Sequence, residues 1–309
     1  MAPTGLLMRL NSPGYKNWIK AGLCLQQLKS SLQEFLASEM MRFHRQLASR
    51  VPAIPGHRCQ CRPTGKQFHP SCPVCAEWKK LILDHHTNRK GEIHWGNCNP
   101  SLWPTHYWEV AKVYMPRGYS EKKSPQVCDA TALLNLINAC DHFKGFNITK
   151  VREVIKCRND LMHSSDMELS SSWLKDFGTT INNFISEFRH VPGLKEEGSK
   201  IKQVLHSDWT TESFCRYEVD GPVLMGDNEV LAEEFSLTLI YNTEKQLIQQ
   251  LLEERYLQLE EDEALSEDDL DGVHKLKTVI TDHEDLQEDM DRLELLLRKP
   301  NQQEASSLP

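Results

Sequence analysis

Apolar residues recur with a helical period through most of the chain. Trp18, Ala21, Leu25, Leu28, Leu32, Phe35, Phe43 and Leu47 follow one another at spacings near ~3.6 residues. This predicts one long amphipathic helix from about Tyr15 to Leu47, ended by Pro52 and Pro55. A loop-rich insert, 51–101, comes next, with a short helix expected at AEWKKLILDHH. A helix is expected from Trp103 to Tyr114 with Pro104 in its first turn. Three further helices carry their own start signals: Asp129 before ATALLNLINAC, Asn147 or Thr149 before VREVIKCRNDLMH, and Ser170 or Ser171 before SWLKDFGTTINNFISEF. In the last of these Trp173, Phe177, Ile181, Phe184, Ile185 and Phe188 make one stripe, and Pro192 and Gly193 end it.

No run shows the strict alternation of a strand, so the fold class is all-α. The expected organisation is a helical domain over 1–192 carrying the insert, a linker over 193–228, an acidic helical region over 229–298, and a disordered tail over 299–309. In the acidic region Ile248, Leu252, Tyr256 and Leu259 line one stripe, and Leu286, Met290, Leu293 and Leu297 another. Two long helices, the second continuous from about Asp269 to Lys299, would pair as an antiparallel hairpin or a coiled coil, although neither keeps a heptad for several repeats.

Charge divides the chain. Residues 1–200 hold 27 Lys+Arg against 17 Asp+Glu, and residues 201–309 hold 9 against 27. A basic front half suits a polyanion such as RNA, and the acidic rear half would oppose that binding; two solvated surfaces of unlike composition would give the same pattern. No stretch approaches the ~20 apolar residues of a membrane span, and the first residues lack a signal peptide's apolar run. The expected home is therefore cytoplasmic or nuclear rather than secreted, where ten cysteines are thiols or metal ligands. The Asn147–Ile148–Thr149 sequon carries little weight there.

Four of those cysteines cluster. Cys59, Cys61, Cys72 and Cys75 form two close pairs ten residues apart, the raw material of a tetrahedral structural zinc site. Cys72 and Cys75 have the usual knuckle spacing, whereas Cys59 and Cys61 are tighter than usual. His69, His85 or His86 could replace one ligand, and four free thiols are the alternative. No motif of a catalytic zinc stands nearby, and there is no phosphate-binding loop, dinucleotide fingerprint or kinase signature. Trp95, Trp103, Tyr107 and Trp108 would either stack nucleobases or pack the insert on the core.

One residue breaks a helical stripe. On a helix of ~100° per residue, Val151, Val154, Ile155, Leu161 and Met162 share an arc with Arg158 at its centre. A guanidinium there must be paired or must line a cleft. Arg158, Asn159 and His163 resemble the HEPN signature of Arg, a polar residue and a later His on the penultimate helix of an all-helical domain. The stretch from CDATALLNLINAC to the aromatic-rich helix is similar to the HEPN subgroup found in some RING-type ubiquitin ligases and fish NOD-like receptors, over about residues 15–192. The whole chain also resembles an uncharacterised vertebrate X-linked open-reading-frame family through Tyr15–Trp18, Cys72–Lys79, His94–Cys98 and Cys157–Ser165. The HEPN resemblance implies an RNA partner and a homodimer. In active members it implies metal-independent RNA cleavage, with His163 managing the 2′-hydroxyl proton, Arg158 stabilising the phosphorane and Asn159 orienting one of them. In others the same fold binds RNA or serves as a scaffold, and here a protein partner would use 229–298. The expectation is an RNA-associated or protein-interaction module without efficient catalysis.

Overall fold

The structure is a computed structural model that describes residues 4–52, 59–88, 92–191, 193–207, 209, 237–260 and 265–298. Eleven α-helices and several 3-10 turns fill these segments, and no strand occurs among the described residues, as an all-α chain requires. The helices are α1 Thr4–Arg9, α2 Pro13–Ala48, α3 Pro73–Asp84, α4 Tyr107–Ala111, α5 Ala130–Ala139, α6 Ile148–Met162, α7 Ser171–Glu187, α8 Leu194–His206, α9 Leu237–Glu260, α10 Glu267–Ile280 and α11 Gln287–Leu297. Among the described residues no helix is long and apolar enough to cross a membrane.

The chain divides into two units. One takes 23–159 and 175–206, the other 1–22, 160–174 and 207–309, so that boundaries fall inside α2, α6 and α7. The partition sharpens the charge division: the first unit holds 25 Lys+Arg against 14 Asp+Glu, the second 11 against 30. They are called the basic and the acidic unit below.

In the basic unit the long α2 buries Leu25, Leu28, Leu32, Leu36, Met40, Phe43 and Leu47, positions that repeat every three or four residues along one face. Phe35 meets Phe143, Phe146 and Phe188, and Phe146 stacks on Phe188 at 4.3 Å. Helix starts follow local chemistry. The Asp129 carboxylate accepts from Ala132 N at 2.8 Å, and Asn147 Oδ1 accepts from Thr149 N at 3.2 Å.

In the acidic unit Ser170 Oγ caps α7 by accepting from Trp173 N at 3.1 Å. Trp18 Nε1 donates to Leu161 O at 3.1 Å and Asn17 Nδ2 to Leu169 O at 2.8 Å, tying the start of α2 to the 160–174 segment. A methyl group on Gly22 would come within 2.4 Å of Leu247 Cδ1, so glycine lets α2 and α9 approach closely. α9 packs on α11, where Arg292 lies over the Tyr256 ring at 4.3 Å and donates to its hydroxyl at 2.6 Å.

The structure departs from the sequence reading in four elements. α1 precedes the long helix. The expected Trp103–Tyr114 helix is shorter: it begins at Tyr107 as α4 and ends in a 3-10 turn at Lys112–Tyr114. Its backbone is redirected by Asn97, whose side-chain amide donates to Lys112 O, Met115 O and Pro116 O at 3.3, 3.4 and 2.5 Å. The first part of the expected linker is α8, which buries Leu194, Ile201 and Val204 and brings Gly198 against Ile185. The last long helix is two, α10 and α11, interrupted where His283 turns inward to a fully buried contact with Glu244, Nε2 to Oε2 at 2.8 Å. The stretch 229–236, most of the expected linker and the tail 299–309 lie outside the described residues.

Candidate metal centre

The insert turns back on itself at Thr64–Gln67, where the two residues exchange backbone hydrogen bonds of 3.0 and 2.9 Å across Gly65. Gly65 has φ +54°, a conformation open to glycine at little cost, and its carbonyl accepts from Gly96 N at 2.8 Å. This reversal returns the chain from Cys59 and Cys61 to Cys72, the N-cap of α3. Pro73 occupies the first turn, where its missing N–H costs nothing, and Cys75 N donates to Cys72 Sγ at 3.4 Å.

The four sulfur atoms of Cys59, Cys61, Cys72 and Cys75 therefore meet, all within 4.8 Å of one another. A tetrahedral zinc with bonds of ~2.3 Å needs sulfurs about 3.8 Å apart. The donor set fits such an ion in spacing and in chemistry. Backbone N–H groups aim at the sulfurs as they would at thiolates: Cys61 N at Cys59 Sγ and Ser71 N at Cys61 Sγ, each 3.3 Å. The Ser71 hydroxyl also lies 3.3 Å from Cys61 Sγ. Burial opposes ionisation of Cys61, yet the hydrogen bonds from Ser71 and Cys72 prevail and lower that thiol to about 6. Burial pushes Cys59 and Cys75 up instead.

Among the described residues no histidine joins the cluster. His69 is exposed, His85 Nδ1 is bound to Asp141 at 2.7 Å, and His86 Nδ1 accepts from Asn88 N at 3.1 Å. Four thiols alone complete the set, which makes it a closed site of the structural kind. Around it the tryptophans face inward. Trp78, Trp95, Trp103 and Trp108 are buried, Phe68 packs on Trp95 and Trp103, and Lys79 spans the Phe68 and Trp95 rings while donating to Phe68 O at 2.6 Å. Phe68, Trp95 and Trp103 thus pack together inside the insert, and Trp108 is buried, while Tyr107, the other residue of the expected stacking face, is half-buried. Ser71, Lys79 and Asn97 were not legible as supports of the site, because their contacts run through backbone carbonyls and amides that no spacing encodes.

The Arg158 region is built differently. Arg158 is 5% exposed, and its guanidinium lies 3.9 Å from Asp129, in the basic unit. That carboxylate also caps α5 and accepts from Tyr119 Oη at 2.8 Å. Asn159 is exposed. His163 belongs to the acidic unit, more than half exposed, with Nδ1 3.8 Å from Asp269. Burial raises the cost of charging Asp269, but the Ser266 hydroxyl and the Arg255 guanidinium at 2.6 Å hold it below the usual carboxylate range.

The acidic unit holds a polar cluster that no motif announced. Glu244, fully buried, receives Arg9 at 2.8 Å, His283 at 2.8 Å and the Tyr15 hydroxyl, while Arg9 also reaches Asp282 at 2.7 Å. The one signal in the sequence is a glutamate on the buried stripe of α9, between Ile240 and Leu247.

Residues 9–302 match the family described as a domain of unknown function, DUF4559. The chain is 45% identical over 305 residues to the Mus musculus protein described as "Uncharacterized protein CXorf38 homolog", covering 96% of this chain and 93% of that one. It belongs to the DUF4559 family. No solved structure matches it. Neither comparison supports the HEPN assignment, and α6 is not the penultimate helix of its unit, since α7 and α8 both follow it.

Proposed function

We propose that the chain is a non-catalytic interaction module whose four-cysteine centre holds a structural zinc ion. The observation that carries this is the convergence of Cys59, Cys61, Cys72 and Cys75, with N–H groups directed at their sulfurs. When bound, zinc would supply four strong bonds. Cys59 and Cys61 would anchor the incoming arm of the insert, and Cys72 and Cys75 the first turn of α3. The insert has a small core, and such a cross-link offsets the entropy of ordering its loops. Purified full-length protein should contain about one zinc per chain. Cys72→Ser with Cys75→Ser should remove it and lower the melting temperature. A metal-free wild type of equal stability would sink the proposal.

Charge favours a second element of the reading, an RNA partner for the basic unit. With the aromatic rings buried, contact would run through phosphates and depend on salt. A HEPN-like fold without cleavage is compatible with this. We read Arg158 as a structural cation, since its charge is directed at a helix-capping carboxylate.

A further inference from the structure

The four thiols do not have equal surroundings. Cys61 Sγ is held by the Ser71 amide and hydroxyl, and Cys72 Sγ by the first turn of α3. Cys75 has a different neighbour, with its sulfur 3.7 Å from Pro100 O and only 3.2 Å from Cys59 Sγ. Cys59 is half-buried, whereas Cys75 is 1% exposed. Cys72 is half-buried too, but of the pair whose sulfurs lie 3.2 Å apart one residue reaches solvent and the other is buried behind it.

We infer that the centre is an oxidation-sensitive metal switch in which Cys59 and Cys75 form a disulfide and the zinc is released. The inference rests on the zinc reading above. The oxidant is hydrogen peroxide. Zinc binding would hold all four cysteines as thiolates despite the burial that disfavours ionisation of Cys59 and Cys75. The Cys59 thiolate attacks one peroxide oxygen and the O–O bond breaks, leaving a sulfenic acid and hydroxide. The Cys75 thiolate then attacks the Cys59 sulfur, the S–O bond breaks and a second hydroxide leaves. Two thiolates have lost two electrons, and the peroxide has gained them, ending as water once the hydroxides are protonated. Cys61 and Cys72 alone cannot complete a tetrahedral site, so the ion departs. Ser71 and the α3 cap keep those two sulfurs in place, which makes the change reversible by a thiol reductant.

The test uses zinc-loaded full-length protein treated with hydrogen peroxide. Released zinc is read with a chromogenic chelator, and linkages by fragment-ion mass spectrometry without reduction. Cys59 and Cys61 share one tryptic peptide, as do Cys72 and Cys75, so backbone fragments between them assign the bond. The expected result is release of about one zinc per chain, a Cys59–Cys75 linkage two hydrogens lighter than the thiols, and recovery of zinc binding after dithiothreitol. Zinc retained under peroxide, a bond joining any other pair, or conversion to sulfinic acid without a disulfide would overturn the switch while leaving the zinc site standing. Protein that never takes up zinc fails the underlying reading instead, and is recognised before peroxide is added.

Discussion

Arg158 and His163 differ in what their loss should do. Arg158 is buried against Asp129, a carboxylate that remains 20% exposed. Arg158→Ala should therefore cost about 3 kcal/mol, near the lower end for breaking a buried ion pair. His163 is largely in solvent, and His163→Ala should stay within about 0.5 kcal/mol. Urea unfolding of the two variants checks the contrast, and a single-stranded RNA incubated in EDTA with wild type should remain intact. Cleavage abolished by both substitutions, with stability unchanged, would restore the catalytic reading of Arg158, Asn159 and His163. The oddity of an arginine on an apolar stripe was legible in the sequence. Its partner was not, because Asp129 also reads as a plain helix cap, and both roles fall to one carboxylate.

Helices follow their periodicity until a buried polar contact intervenes. The stripe of α9 carries Glu244 into the core of the acidic unit, and that charge draws in Arg9, Tyr15 and His283. An isolated carboxylate there would be costly, and groups from α1, α2 and the α10–α11 junction satisfy it. The α10–α11 break falls at His283. Burial, with the Glu244 charge added, pushes the Tyr15 phenol well above its usual range. The folded state then keeps a proton that the unfolded chain gives up near pH 10. Stability is complete below that pH and falls as pH rises through it. Tyr15→Phe should be less stable at neutral pH by about 1 kcal/mol, yet should lose less on going above pH ~10. Buried thiols such as Cys98 and Cys140, each pushed up to about 12, add an alkaline loss common to both proteins. Denaturant titrations at several pH values isolate the Tyr15 part as a difference. Parallel curves for the two proteins would remove Tyr15 from the linkage.

At the scale of the molecule, charge follows the units more closely than it follows the order of residues. Moving from halves of the sequence to units gives a basic body of 25 Lys+Arg against 14 Asp+Glu and an acidic one of 11 against 30. A protein of net charge −8 should then still bind a single-stranded RNA oligonucleotide at low salt. The affinity should fall linearly in log–log form as salt rises. Arg152 and Lys156 are exposed one turn apart on α6. Replacing both with alanine should reduce the salt slope by about 2, roughly one per lost phosphate contact. Fluorescence anisotropy across a salt series measures this. Absence of binding at low salt would end the RNA reading and leave the module with its four-cysteine cluster as a proposed protein-interaction scaffold.

The sequence by itself determined the features that depend on neighbours along the chain. Period 3.6 placed the long helix and its buried face. Asp129, Asn147 and Ser170 marked helix starts, because a cap bonds an amide two or three residues on. Two close cysteine pairs announced the cluster of four thiols. Tertiary structure decided what depends on distant residues. It gave His85 and His86 partners outside the cysteine cluster, turned the tryptophans inward, made α8 from an expected linker, and split the last helix at His283. In each case a contact formed across tens or hundreds of residues outweighed a local preference worth a fraction of a kcal/mol per residue. Such contacts leave no periodic trace, since the energy that selects them arises only when the polar or apolar group is buried against its partner.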